Sequence, residues 1–76
     1  MKALHVTLTA TRDGAPLAVL DGLPAGAELR PAELRALAAA LLRAADDADA
    51  RPTMHRGKRL PPARRAYEIV AEVARP

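Results

Sequence analysis

Seventy-six residues with one aromatic side chain, Tyr67, and a formal net charge of +3 allow a single small domain, residues 1–76, with a thin aliphatic core. The chain contains neither Cys nor Ser, which excludes a disulfide scaffold and a thiol or serine nucleophile. No apolar run approaches the ~20 residues of a membrane helix, and Met1-Lys2 leads straight into an alternating segment, so neither a span nor a signal peptide is expected.

A chain of this size buries only about 60% of the surface its unfolded state exposes. With no Cys to staple it, self-association is a route to further burial, a homodimer being the simplest form. The abundance of Ala, Arg and Pro, with no Ser, Asn or Gln, resembles a GC-rich bacterial or phage coding sequence. The expected location is the cytoplasm of a bacterial host, which the lack of Cys suits.

From Ala3 to Ala10 the chain alternates, with Leu4, Val6 and Leu8 on one side and His5, Thr7 and Thr9 on the other. That period describes a half-buried strand. Thr11-Arg12-Asp13-Gly14 supplies turn chemistry, and Leu17 to Leu20 reads as a second short strand behind Pro16. Residues 3–20 therefore read as a β-hairpin. Asp21 to Arg30, with Gly22, Pro24 and Gly26, reads as a connecting loop.

Pro31 sits at a favoured first helical position, with Arg30 before it as a poor cap and Glu33 in the first turn. Leu29 and Leu34 occupy the positions of a hydrophobic staple. From Pro31 to about Asp47, Leu34, Leu37, Ala38, Leu41, Leu42 and Ala45 make an apolar stripe at helical spacing. The stripe is expected to cover a sheet face carrying Leu4, Val6, Leu8, Leu17 and Val19. Asp46, Asp47 and Asp49 close the helix against its own dipole.

Residues 50–64 then read as a basic loop. Between Ala50 and Tyr67 the chain carries Arg51, Arg56, Lys58, Arg59, Arg64 and Arg65, with His55 among them and no acid. Gly57 and the flanking prolines are expected to keep Arg56, Lys58 and Arg59 outside regular structure. Two roles compete for the cluster: contact with an anionic partner, or folding back to neutralise the three aspartates at the helix end.

Tyr67, Ile69, Ala71 and Val73 alternate with Glu68, Val70 and Glu72, which favours a third strand over Arg65–Val73; a helix after Pro61-Pro62 is the rival. The elements assemble as an α+β domain of β-β-α-β order. It has a three-stranded, mostly antiparallel sheet covered on one face by one helix. Strand order 2-1-3 is expected, and a parallel pairing beside the second strand is the alternative.

No catalytic chemistry is legible. His5 and His55 lack partners at metal-ligand spacing, and the aspartates lack an EF-hand pattern. Arg56-Gly57-Lys58 is no phosphate cradle. A non-enzymatic binding protein is expected, with no cofactor or metal. Its partner-binding candidates are Arg51, Arg56, Lys58, Arg59, Arg64 and Arg65.

A hairpin, one Leu/Ala helix (the run AELRALAAALLRAADDADA) and a final strand in so short a chain resemble the small accessory proteins of phages and prophages. In format the chain is similar to anti-CRISPR proteins, which bind an effector complex and block it without catalysis. The resemblance implies a phage-type inhibitor whose partner is a protein, such as a CRISPR effector subunit, and it transfers no site residues. Many anti-CRISPR proteins are acidic mimics of DNA, and this basic chain departs from that pattern. A small nucleic-acid-binding accessory protein is the second reading, and an oligomeric protein-interaction module the third. Nucleic-acid binding lacks a helix-turn-helix, a basic recognition helix and an aromatic platform.

Overall fold

The computed structural model describes residues 3–22, 26 and 28–70. β1 (Ala3–Ala10) and β2 (Pro16–Asp21) form an antiparallel hairpin, and α1 spans Pro31–Ala50. β3 (Met54–His55) and β4 (Lys58–Arg59) form a second, very short hairpin before β5 (Ala63–Glu68). β5 returns antiparallel to β1, so the main sheet has the order β2-β1-β5, and α1 packs on one of its faces. This is a small α+β domain with the first strand central, the 2-1-3 order expected of the main sheet.

The first loop sets the register. Gly14 N–H donates to the Thr11 carbonyl at 3.0 Å, Thr11 N–H donates to the Ala15 carbonyl at 2.8 Å, and Gly14 has φ of 90°. That is a turn closed by a left-handed glycine, a standard way to join two strands through three residues. It pairs Ala10 with Pro16, Leu8 with Ala18 and Val6 with Leu20, so even-numbered residues face even-numbered ones. Leu4, Val6 and Leu8 are buried against the helix, with Ala18 packed beside them. Leu17 and Val19 share the opposite, uncovered face with Thr9 and Thr7. The expectation that the helix covers Leu17 and Val19 is corrected by this parity.

Glu33 Oε1 accepts from Arg30 N–H at 3.2 Å at the start of α1. The guanidinium of Arg30 has no acceptor to return the favour, so only half of a capping box forms. The face that α1 buries also differs from expectation. Ala36, Ala40 and Ala44 are its buried residues, with Leu37, Leu41 and Ala48 packed at their margin. Leu34 is 51% exposed and Leu42 67%, and Ala38 and Ala45 are exposed as well. The buried face is thus rotated by about one residue, roughly 100°, from the leucine stripe. The sheet supplies the bulk between the layers through Leu4, Leu8 and Tyr67, and the helix fits over them with alanine.

The third main strand is shorter and earlier than Arg65–Val73. It starts at Ala63 opposite Leu8 and ends at Glu68 opposite Ala3. Ile69 follows the strand yet still packs on the core; residues 71–73 of the expected strand lie outside the described residues. Tyr67 is buried beside Leu4, and its hydroxyl donates to Asp47 Oδ2 at 2.7 Å. Arg43 Nη2 donates to the Glu68 carbonyl at 2.7 Å. Both bonds tie the same flank of the helix to β5.

Two measurements follow. Ala40→Leu should destabilise by about 1–3 kcal/mol through overpacking, whereas Leu42→Ala should change stability by less than about 0.5 kcal/mol. Half-buried Leu41→Ala should fall between them in urea denaturation. Burial first, and the hydrogen bond to Asp47 second, raise the Tyr67 pKa above its ordinary value. The preference for a neutral phenol stabilises the fold fully below about pH 10 and is lost as pH rises through the folded-state value. The tyrosinate absorbance of the folded chain should therefore titrate later than that of the urea-unfolded chain, and Asp47→Ala should shift it earlier.

Candidate interaction surface

The basic segment is not an irregular loop. Met54-His55 pairs with Lys58-Arg59 across the two-residue turn Arg56-Gly57, and Leu60 N–H donates to the Thr53 carbonyl at 2.9 Å to extend the ladder. Both turn residues have positive φ, 52° at Arg56 and 76° at Gly57. Such a turn matches the twist of two antiparallel strands, and it requires left-handed backbone at both positions. Glycine takes that conformation freely. Arginine takes it at a cost of about 1–2 kcal/mol, where Asn or Gly would be at ease. The expectation that Arg56, Lys58 and Arg59 lie outside regular structure is corrected: they form the turn and the return strand of a hairpin.

The helix sets where this hairpin goes. Arg43 on Glu68, Asp47 on Tyr67 and the Ala36–Val70 neighbourhood show α1 running antiparallel to β5, and so in the direction of β1. Its 20 residues cover about 30 Å at 1.5 Å each, enough to carry the chain to the turn end of β1. There the two hairpins meet. Thr53 Oγ1 donates to the Gly14 carbonyl at 2.8 Å, and Arg59 Nη2 donates to the Arg12 carbonyl at 2.6 Å.

The result is one end of the molecule formed by two turns held side by side. It presents Arg12, Arg56, Lys58 and Arg59, all exposed, together with His55. The one acid in the two turns is Asp13, whose carboxyl is held below the usual range first by the Thr11 hydroxyl that donates to it. Arg12 joins the cluster only through the fold, since it is remote from the basic segment in sequence.

The remaining candidates separate. Arg51 caps the helix, its N–H donating to the Asp47 carbonyl at 2.9 Å. Its Nη2 donates to the Pro61 carbonyl and so ties the helix end to the exit of the second hairpin, while its Nη1 is buried with no hydrogen-bond partner among the described residues. Arg64 and Arg65 are consecutive in β5 and point to opposite faces, Arg64 beside Thr7 on the open face and Arg65 beside Val6 on the helix side. They flank the basic end without joining one patch. The hydroxyl of Tyr67, rather than a cation of this segment, occupies Asp47.

Ala32, Arg35, Ala36, Ala39 and Val70 line a depression of about 160 Å³, below the roughly 300 Å³ at which ligand pockets begin. Among the described residues no three His, Asp or Glu side chains are grouped to hold a metal ion, and no helix is long and apolar enough to cross a membrane. No protein-family model, curated protein or solved structure matches the chain.

The docking of the two hairpins has a direct check. Thr53→Val removes the hydroxyl that reaches Gly14 and leaves both short ladders intact. Amide exchange at Leu60 should then speed up while amides of β1 and α1 keep their protection, because the second hairpin lacks a core of its own.

Proposed function

We propose that this chain is a non-catalytic binding protein that engages an anionic face through its basic end. Its favoured role is that of a phage-type inhibitor which occupies and blocks a host nucleic-acid-handling complex such as a CRISPR effector. The observation that carries the reading is the tip of the second hairpin. An arginine sits in a left-handed turn position that disfavours it, beside three further cations brought together by the docking of two turns. Local strain kept at an exposed charged tip suits a contact residue better than a structural one. Charge gathered in this way speeds encounter with an oppositely charged surface and selects against basic ones.

Arg56→Asn separates the roles. Asn is at ease in the left-handed turn, so the hairpin should gain about 1–2 kcal/mol while binding weakens. A purely structural arginine would show neither loss of binding nor slower association. Arg12, Arg56 and Lys58 changed together to Ala should leave the helical signal unchanged, since Arg59 and Thr53 still hold the turns together. In bacteria with an active CRISPR system, the parent chain should restore plating of a targeted phage, and the triple variant should not. Failure of the parent chain against a panel of system types would remove the inhibitor reading.

A narrow basic hairpin also suits direct contact with phosphates, which makes nucleic-acid binding the second reading. Four cations neutralising phosphates would give a slope of about −3 to −4 in log affinity against log salt on bare duplex. Tight, salt-steep binding to bare DNA or RNA would place this reading first. Weak binding beside tight capture of an effector subunit would retain the inhibitor.

A further inference from the structure

We infer that β2 is a homodimerisation edge: two copies join antiparallel along Pro16–Leu20 to make a continuous six-stranded sheet with both helices on one side. Thr11 N–H bonds to the Ala15 carbonyl, so positions 11 and 15 are a hydrogen-bonded pair. Pairs in an antiparallel ladder alternate. The backbone groups of Thr9–Leu17 and Thr7–Val19 therefore point into the hairpin, while those of Pro16, Ala18 and Leu20 point outward to the edge. Pro16 fits this parity, because its missing N–H would have faced outward.

A twofold axis through Ala18 uses those groups. Ala18 would exchange two hydrogen bonds with its symmetry mate, and each Leu20 N–H would donate to the partner's Pro16 carbonyl. Side chains match as well: Leu17 lies across from Val19 of the other copy on the open face, and Leu20 lies across from Pro16 on the helix side. A shift of one residue would set the open face of one copy against the helix side of the other.

Among the described residues no strand pairs with the outer edge of β2, and its surroundings favour a second copy over solvent. Natural sheets guard free edges with charge. β5 does so with Arg64, Arg65 and Glu68, whereas β2 has its guards, Pro16 and Asp21, only at its two ends and no charge from Leu17 to Leu20. Leu17, Val19 and Leu20 are 43%, 46% and 42% exposed. Since Arg43 and Asp47 tie one flank of α1 to β5, helical geometry puts Leu37, Leu41 and Leu34 on the opposite flank, toward β2, with Ala45 and Ala38 turned further outward. An apolar ridge thus stands over an apolar edge on the same side. Asp21 at the end of β2 accepts from Thr7 Oγ1 of its own copy at 3.0 Å, and antiparallel pairing sets this end of the strand beside the partner's turn, which carries Arg12 and Asp13.

The test is sedimentation equilibrium and light scattering on the full chain and two variants. Ala18→Pro removes the central outward N–H without touching a bond of the monomer, in the manner already tolerated at Pro16. Val19→Lys puts a charge on the open face of the edge and serves should Ala18→Pro fail to fold. The parent chain should be a dimer at sub-millimolar concentration, and both variants should be monomers with unchanged helical circular dichroism. A parent chain that stays monomeric at that concentration overturns the inference. So does a Val19→Lys chain that dimerises as tightly as the parent, which would place the contact elsewhere.

Discussion

The close seating of α1 on Leu4, Val6 and Leu8 governs the rest of this structure. A helix that presents Ala36, Ala40 and Ala44 to a sheet can approach more closely than one presenting leucine, and the sheet side chains fill the layer between. Interiors are packed like solids, so volume on one side must be matched by its absence on the other. Tyr67 completes the arrangement because its ring fills the β5 side while its hydroxyl reaches Asp47, removing the cost of a buried phenol without a partner. With alanine turned inward, Leu37 and Leu41 pack at the margin of the core and Leu34 and Leu42 are turned outward. The exposed ridge of α1 is a consequence of how the core is filled.

The sequence disclosed periods more readily than phases. The alternation of Ala3–Ala10, the turn at Gly14 and the helix starting at Pro31 are local signals, and each was legible. Which face of the helix turns inward is a tertiary matter. Leu34-Leu37-Leu41 and Ala36-Ala40-Ala44 both recur at helical spacing, and hydrophobicity alone favours the former. Only the bulk supplied by the opposing sheet decides for the latter. The parity of β2 was hidden for a related reason, since Leu17 and Val19 alternate as well as Ala18 and Leu20 do. Counting the residues of the 11–15 loop resolves it, because a turn with a left-handed fourth residue fixes even opposite even.

At the candidate site, what escaped was the second hairpin. Its signal was present: two residues, a two-residue turn ending in glycine, and two more residues. The segment carries charge where a strand would show apolar alternation, and Arg56 stands where Asn is favoured, so composition masked geometry. Arg12 could not be found from sequence because its membership depends on where α1 delivers the chain. Arg51, by contrast, reads as one more cation in a run, and its guanidinium is absorbed at the helix end. Charge clustering along a chain therefore overstated the patch at one end and understated it at the other.

The basic end and the free edge bear on each other through symmetry. The turn carrying Arg12 lies four to six residues from Ala18 along the direction of β2. At about 3.3 Å per residue this is roughly 13–20 Å from the proposed axis. Antiparallel pairing would put the two basic ends at opposite extremities of one sheet, some 25–40 Å apart, instead of merging them into one field. Such a dimer is a two-pronged binder with a stiff spacer. Its second contact would be intramolecular and would gain from effective concentration if the partner offered anionic faces at that spacing. A partner with a single face would gain nothing from it.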